Sequence, residues 1–410
     1  MQSRWHGLGV GDLAWARRAK EFVDTHVVPA TRDARDDEWS APWEARVPWD
    51  LIEEADDYGL RTLGLFAAVP DPPPPSSLGL AAVAEELARG ESALVDILLQ
   101  GWKVGTIIEG LAAGHLRDHW LGRFLAEPRL VFSHCSTEPH GSSDRWLGWD
   151  HPDAAMRTTA ELRDGEWILD GRKHYITNGP DSGLYVVYAT TSQGARPSAG
   201  TSSFLVPRDT PGFSIGRVHE KLGGRRFNNA ELIFDGCRLP ADHLLVADTA
   251  LGTSSRLFPA SKAVIAAQAL GVAQAAYEAA LDYVQQRVQG GRPIVGHQAV
   301  ALRVADMLIR IETTRALVHR AARAVDEEAP DRRRLRDIAK VAAAETAFAV
   351  AREAVELHGG LGVMREGGVE RHLRDATLFL HLDGTNDIHR LRVVESLFPG
   401  WTERYVGDPG

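Results

Sequence analysis

The chain is poor in the residues that would tie it to metals, membranes or an oxidising compartment. Two of its 410 residues are cysteine, Cys135 and Cys237, too few for a zinc site or a disulfide framework. A reducing cytoplasm is the simplest compartment for such a chain. No wholly apolar run reaches 18 residues, and Met1 to Val10 lacks the apolar stretch of a signal peptide. Neither a membrane span nor secretion is expected. Basic charge is also short: 46 Lys and Arg against 56 Asp and Glu leave a net −10, which argues against a nucleic-acid-binding surface. The densest basic run, Arg332-Arg333-Arg334 with Arg336, follows Asp326-Glu327-Glu328 and reads as a solvated helix start. The G-x-G-x-x-G, Walker A, H-E-x-x-H and G-x-S-x-G patterns are missing. The 16 histidines form no obvious metal set.

What is present is an ordinary globular composition, 44% hydrophobic and 25% charged, in a chain long enough for two or three domains. Residues 11 to about 60 and Leu80 to Leu125 carry apolar residues at helical spacing, with a stiff break at Pro70 to Pro75. The period then changes. Asp164-Gly165 between Ala160–Arg163 and Glu166–Leu169 is a hairpin signal, and Asp170-Gly171 marks a second turn. Further strands follow at His174, Tyr185, Ser203 and Glu231. From Ser255 long helices return, broken at Gly290–Pro293, Pro330 and Gly359-Gly360, with a fourth after Asp387. The expected fold is α+β: an N-terminal all-α domain (1–130), a middle antiparallel β domain (131–245) and a C-terminal four-helix bundle (246–410).

Three stretches carry hydroxyls, carboxylates or aromatics in groupings that suit a flat, polar ring. Ser136-Thr137-Glu138-Pro139 through Ser143-Asp144 offers hydroxyls and backbone donors, and also reads as a polar turn. Tyr175 and Thr177 in Lys173–Gly179 fall on one face by alternation, and also read as a half-buried strand. Asp383-Gly384-Thr385 sets a base beside a donor, and also reads as a turn with a capping threonine.

Taken together and in order, these stretches resemble the acyl-CoA dehydrogenase family of flavoproteins over roughly residues 15–400. Thr137-Glu138-Pro139…Ser143-Asp144 is similar to T-E-P-x-x-G-S-D, with Ser142 for its glycine. Tyr175–Gly179 is similar to W/F-I-T-N-G. Lys221-Leu222-Gly223…Phe234-Asp235…Pro240 is similar to K-M-G…F-D…P, and His358–Gly362 with Arg374-Asp375-Ala376 is similar to H-G-G-x-G…R-D-A. Asp383-Gly384-Thr385 falls on E-G-T. The resemblance implies FAD, with Ser136, Thr137, Tyr175, Thr177 and Thr385 along it. It implies Arg287 at the FAD pyrophosphate of a neighbouring subunit, in a homotetramer or dimer, with Gly359 and Gly360 also binding the cofactor. Asp383 becomes the base that takes the proton α to a thioester, with Ser143, Gly384 and Arg390 on the substrate side. The substrate is then an acyl thioester of CoA or a carrier protein, and the acceptor an electron-transfer flavoprotein. No nucleic acid and no membrane enters the reading.

The chain departs from the family pattern at several positions. Asp383 replaces glutamate, which sets its oxygens back by about 1.5 Å, one bond length. Nitroalkane oxidase resembles the family and has aspartate there, so an oxygen-using flavin oxidase or monooxygenase is the alternative. The positions near Ser261 and Lys262, where some members keep the base, hold no carboxylate. Trp146 and Trp149 lie in an insertion within Arg145–Met156. Arg225–Asn229 replaces smaller Ser/Thr-rich residues. Gly290 stands where a phenylalanine often packs on adenine, and Glu356 where glutamine is usual.

Overall fold

The computed structural model describes residues 2–33, 37–65, 73–143 and 151–402. The chain opens with α1 (Val10–Phe22), α2 (Val28–Asp33), α3 (Asp37–Ser40), α4 (Trp49–Asp57), α5 (Ser77–Gly90), α6 (Ser92–Leu111) and α7 (Gly114–Ala126). The stretch from 11 to 60 is thus several helices rather than one. A π-turn at Val23–Val27 joins α1 to α2, and Pro42 and Pro48 each stand immediately before a new helical segment. Proline lacks the N–H that a continuing helix needs, so the chain restarts there. Of the proline-rich loop, Pro70 and Pro72 lie outside the described residues. Pro73 accepts a hydrogen bond from the buried Trp15 indole at 2.9 Å, which pins the loop to α1.

The middle region contains β1 (Phe132–Cys135), β2 (Thr159–Arg163), β3 (Glu166–Thr177), β4 (Leu184–Thr190), the short α8 (Pro197–Gly200), β5 (Thr201–Pro207), β6 (Phe213–Val218), β7 (Asn229–Pro240) and β8 (Leu244–Val246). The sheet runs β6-β7-β3-β2-β4-β5-β8, with β1 beside β4. It is antiparallel except that β1 and β2 pair with β4 in parallel. The β2–β3 hairpin intervenes between them, so β4 re-enters the sheet in the direction of β1 and β2. Asp164 (φ 51°) and Gly165 (φ 84°) make the expected two-residue hairpin. Asp170-Gly171 is not a turn. Strand β3 runs through it with a register shift, and a Cβ on Gly171 would meet Thr158 Cα at 2.6 Å. A second shift lies between Lys173 and Ile176, where Tyr175 has φ 57°. Simple alternation therefore fails at Tyr175, whose side chain is 60% exposed.

The C-terminal part holds α9 (Ala250–Leu257), α10 (Ser261–Gln286), a small hairpin β9 (Val288–Gln289) and β10 (Arg292–Pro293), α11 (Gln298–Asp326), α12 (Arg332–His358), α13 (Glu370–Phe379) and α14 (Asn386–Leu397). The fourth limb of the bundle is thus two helices, interrupted at His381–Thr385. Helix α10 is long and apolar enough to cross a membrane, but most of it is buried against its neighbours, as in a core helix. Its small residues allow close approach: a Cβ on Gly271 would meet the Glu85 carbonyl of α5 at 2.4 Å.

Several of the motifs turn out to be joints between these parts. The Gly223 backbone touches α13 so closely that a Cβ there would meet the Arg374 carbonyl at 2.3 Å, and Asp375 accepts from Gly224 N–H at 2.7 Å. Asn178 donates to the carbonyls of Ile97 on α6 and Phe132 on β1. Glu138 and Lys173 form a buried pair at 2.7 Å, and Glu138 also accepts from the N–H groups of Arg157 and Thr158. That pair ties the Ser136–Thr137 loop to β3. A buried pair of this kind is costly to break from one side, because the remaining charge stays buried.

Candidate active site

Asp383 sits in the break between α13 and α14, with φ 53°, followed by Gly384 at φ 100°. Aspartate tolerates this left-handed region better than most residues, and glycine adopts it freely. The loop is held from beneath by Lys340 of α12. Its buried ammonium donates to the carbonyls of Phe379 and Gly384 at 2.8 and 2.7 Å and to Asn386 Oδ1 at 2.9 Å. Thr385 caps α14, its hydroxyl accepting from Ile388 N–H at 3.3 Å. His389, buried and bonded to Asp337 at 2.6 Å, lies 3.1 Å from the Asp383 carbonyl.

The Asp383 carboxylate faces a cavity of about 420 Å³ that it shares with Ser136, at the meeting of α6, β1, β4, α9, α10, α12 and α14. Lys262 Nζ lies 2.6 Å from Asp383 Oδ2 and donates to its carbonyl at 2.7 Å. Ser261 Oγ is 3.5 Å from the same carboxylate. Burial drives the Lys262 ammonium down to about 7, against the pull of Asp383, with Arg392 and Lys103 adding to the fall. Burial would raise the Asp383 carboxyl, but Lys262 and then Lys103 hold it well below the usual carboxylate range. The partner that titrates near neutrality is therefore Lys262. Burial, with Lys103 beside it, pushes His134 down to about 3, so the ring is neutral and 2.9 Å from the Tyr188 hydroxyl.

One prediction follows from the pair. Below pH about 7 Lys262 is charged and weakens Asp383 as a base; above it the ammonium is lost and Asp383 grows more basic. If Asp383 is the base of a flavin-linked reaction, the rate of flavin reduction by substrate should rise through pH about 7 in the native protein. In Lys262→Met that limb should be absent, leaving a limb set by Asp383 alone. Rapid-reaction pH profiles of the two proteins check this; identical profiles would remove Lys262 from the argument.

A second cleft, of about 850 Å³, brings together Arg287, Gly359 and Gly360 with Tyr283, His297 and Glu356. Arg287 ends α10 and is exposed. A Cβ built on Gly359 or Gly360 meets nothing within 4 Å, so the backbone there lies open. An open glycine backbone beside an arginine suits phosphate oxygens, whereas Glu356 in the same cleft opposes them. The ring-side candidates are hydroxyls and one exposed aromatic. Thr137 Oγ1 is 3.2 Å from Ser142 Oγ, Thr177 Oγ1 accepts from Asn229 at 3.2 Å, and the Tyr175 ring packs only on the rings of His174 and His219 among the described aromatic contacts. This donor set and the open glycine backbone fit a flavin with its diphosphate.

The structure thus gathers Ser136 with Asp383, and gathers Arg287 with Gly359 and Gly360, in two separate clefts of one protomer. Ser143 is half-buried and is the last described residue before Trp146 and Trp149, which lie outside the described residues, as does Asp144. Arg390 is not brought to the Asp383 cavity. It is half exposed and pairs with Asp387 and Glu345, because it lies on the outer face of α14. Two residues on, Arg392 lines the cavity instead. Reading from sequence also missed Lys103, His134, Lys262, Arg336 and Lys340. Only Lys262 had a signal, since its position was searched for a carboxylate and not for a cation.

Comparison with known proteins agrees with this geometry. The acyl-CoA dehydrogenase middle domain matches residues 133–237 and the C-terminal domain residues 253–398. An acyl-CoA dehydrogenase of Bacillus subtilis is 35% identical over 378 residues, covering 86% of this chain and 90% of that protein. Butyryl-CoA dehydrogenase from Megasphaera elsdenii superposes with a TM-score of 0.84 at 26% identity, over 95% of this chain and 99% of that one. A glutaryl-CoA dehydrogenase from Mycobacterium smegmatis, solved with FADH2, gives 0.81 at 27% identity and 95% coverage of both. The chain belongs to the acyl-CoA dehydrogenase family. It is an FAD-dependent oxidoreductase acting on CH–CH donors, of the general class that dehydrogenates acyl-CoA.

Proposed function

We propose that the protein dehydrogenates an acyl thioester at its α and β carbons, with Asp383 as the base. The observation that carries this reading is the Asp383 carboxylate, the one acid among the residues lining a cavity that it shares with Ser136. FAD, when bound, would supply the acceptor for the β-hydrogen. The residues of the chain do the rest. Asp383 takes the α-proton, and Lys262 and Ser261 orient its carboxylate. The Asp383 N–H makes no backbone hydrogen bond among the described residues, which leaves it available to the thioester oxygen. A donor placed where enolate charge develops lowers the barrier to proton removal. Ser136, Thr137, Tyr175, Thr177 and Thr385 are assigned to the flavin, and Ser143 and Gly384 to the substrate side.

The exposed apolar face of α11, with Leu302 and Ile309 both more than half exposed, supports a homo-oligomer. In it, Arg287, Gly359 and Gly360 of one protomer would complete a neighbour's FAD site. We assign the cytoplasm as its compartment and an electron-transferring flavoprotein as its acceptor.

Anaerobic mixing of the purified flavoprotein with a series of acyl-CoAs tests the reading. The expected result is bleaching of the oxidised flavin by at least one acyl-CoA, and slow reoxidation when oxygen is admitted. No bleaching by any thioester, with fast reoxidation after chemical reduction, would instead establish the oxygen-using alternative. A purified protein that binds no flavin would refute both.

A further inference from the structure

The cavity around Asp383 is far more cationic than proton abstraction requires. Lys103, Arg256, Lys262, Arg333, Arg336 and Arg392 all line it, against the single carboxylate of Asp383. They come from five helices, α6, α9, α10, α12 and α14, of a molecule whose formal net charge is −10. Local accumulation of one sign against the sign of the whole marks a place that concentrates the opposite charge.

Part of that charge is already answered. Lys262 is paired with Asp383, and Arg392 Nε lies 3.2 Å from Asp337. Arg256 and Arg333 are exposed and solvated. Lys103 and Arg336 are different. Lys103 is half-buried in the α6 wall and makes no hydrogen bond or salt bridge to a described residue. Arg336 gives one N–H to the Pro259 carbonyl, while its buried Nε has no acceptor among the described residues. Burial makes the Arg336 charge harder to hold; Asp337 offsets part of this, and Arg392 and Arg333 add to it. Lys103 and Arg336 share their nearest carboxylates, Asp383 with Lys262 and Asp337 with Arg392, so the partly buried cations stay under-neutralised until a further anion joins them. The cavity's apolar lining comes from Leu251, Phe258 and Tyr188.

We propose that the acyl group dehydrogenated at Asp383 carries a carboxylate of its own, and that Lys103 is the counter-ion that receives it. This rests on the dehydrogenase reading above. Lys103 lines the same cavity of about 420 Å³ as Asp383 and His134, which puts it within reach of the reaction centre. The substrate's carboxylate is therefore only a few atoms from the α-carbon, as in a short dicarboxylic acyl thioester. The phosphates of the carrier offer anionic chemistry too, and a matched pair of CoA thioesters holds them constant.

The test compares kcat/KM of the FAD-loaded protein for pentanoyl-CoA and 4-carboxybutanoyl-CoA, which differ by a methyl against a carboxylate. The expected preference for the carboxylated thioester is about 10- to 100-fold, the worth of a charge-assisted hydrogen bond. Lys103→Met should erase at least about a tenfold part of it, and Lys103→Arg should restore most of what is lost. Equal or better use of pentanoyl-CoA by the native protein overturns the proposal while leaving the dehydrogenase reading in place. A preference that survives Lys103→Met overturns the assignment of Lys103. If neither thioester bleaches the bound flavin, nor any other acyl-CoA, the dehydrogenase reading itself fails and this proposal falls with it.

Discussion

Asp383→Asn lowers the rate of flavin reduction by acyl thioester by about 100- to 10,000-fold, the range expected when a positioned general base is removed. The loop should survive the change. Asparagine tolerates the left-handed backbone that Asp383 adopts at φ 53°, and the Asp383 carbonyl that Lys262 reaches is retained. FAD should stay bound, because the Asp383 carboxylate is held by Lys262 and Ser261 and by none of the residues assigned to the flavin. Anaerobic rapid mixing gives the rate, and the flavin absorbance of the purified protein gives the occupancy. Reduction within about tenfold of the native rate would remove Asp383 from the chemistry.

Lys340→Met is expected to cripple the site without touching the cavity. Its ammonium satisfies three acceptors on both sides of the Asp383 loop, the carbonyls of Phe379 and Gly384 and the Asn386 side chain. A buried acceptor stripped of its donor costs about 1–3 kcal/mol, so three of them destabilise the loop by about 3 kcal/mol or more. A loop displaced by about 1 Å loses about 100-fold in rate. The expected result is a folded flavoprotein with a fall in kcat of that order. Hydrogen exchange should be faster in the segment from Phe379 to His389 and unchanged in the β sheet. A kcat within about threefold of native would show that Lys340 is not what positions the base.

The parts of this molecule that could be read from sequence are those whose chemistry is local. The Asp164-Gly165 hairpin, the helical periods of the bundle and the loop around Asp383 each declare themselves within a few residues. The motif stretches were legible too, but several owe their residues to packing. Gly223 is required by the backbone of α13, and Glu138 by Lys173. Asp170-Gly171 misled because the same dipeptide serves a turn or a bulge, and the choice depends on Thr158, which lies across the strand pair. The cations of the cavity were invisible for a different reason. Lys103, Lys262, Arg336 and Arg392 stand on four helices far apart in the chain, and each alone reads as an ordinary helix-surface charge. Arg336 even belongs to a run that reads as a solvated helix start. Only the packing of α6, α10, α12 and α14 aims them at one point.

The seams that join the β sheet to the helices bear on how the protein measures its substrate. At Gly223 and Arg374 backbone meets backbone with no space for a methyl group, and Asn178 stitches the end of β3 to α6. Close-packed seams of this kind do not slide by fractions of a side chain. The walls that carry Ser136 and Asp383 are therefore held at a set separation, and the cavity acts as a gauge block rather than a jaw. Along a series of acyl groups of increasing length, activity should end at a sharp cutoff instead of fading by degrees.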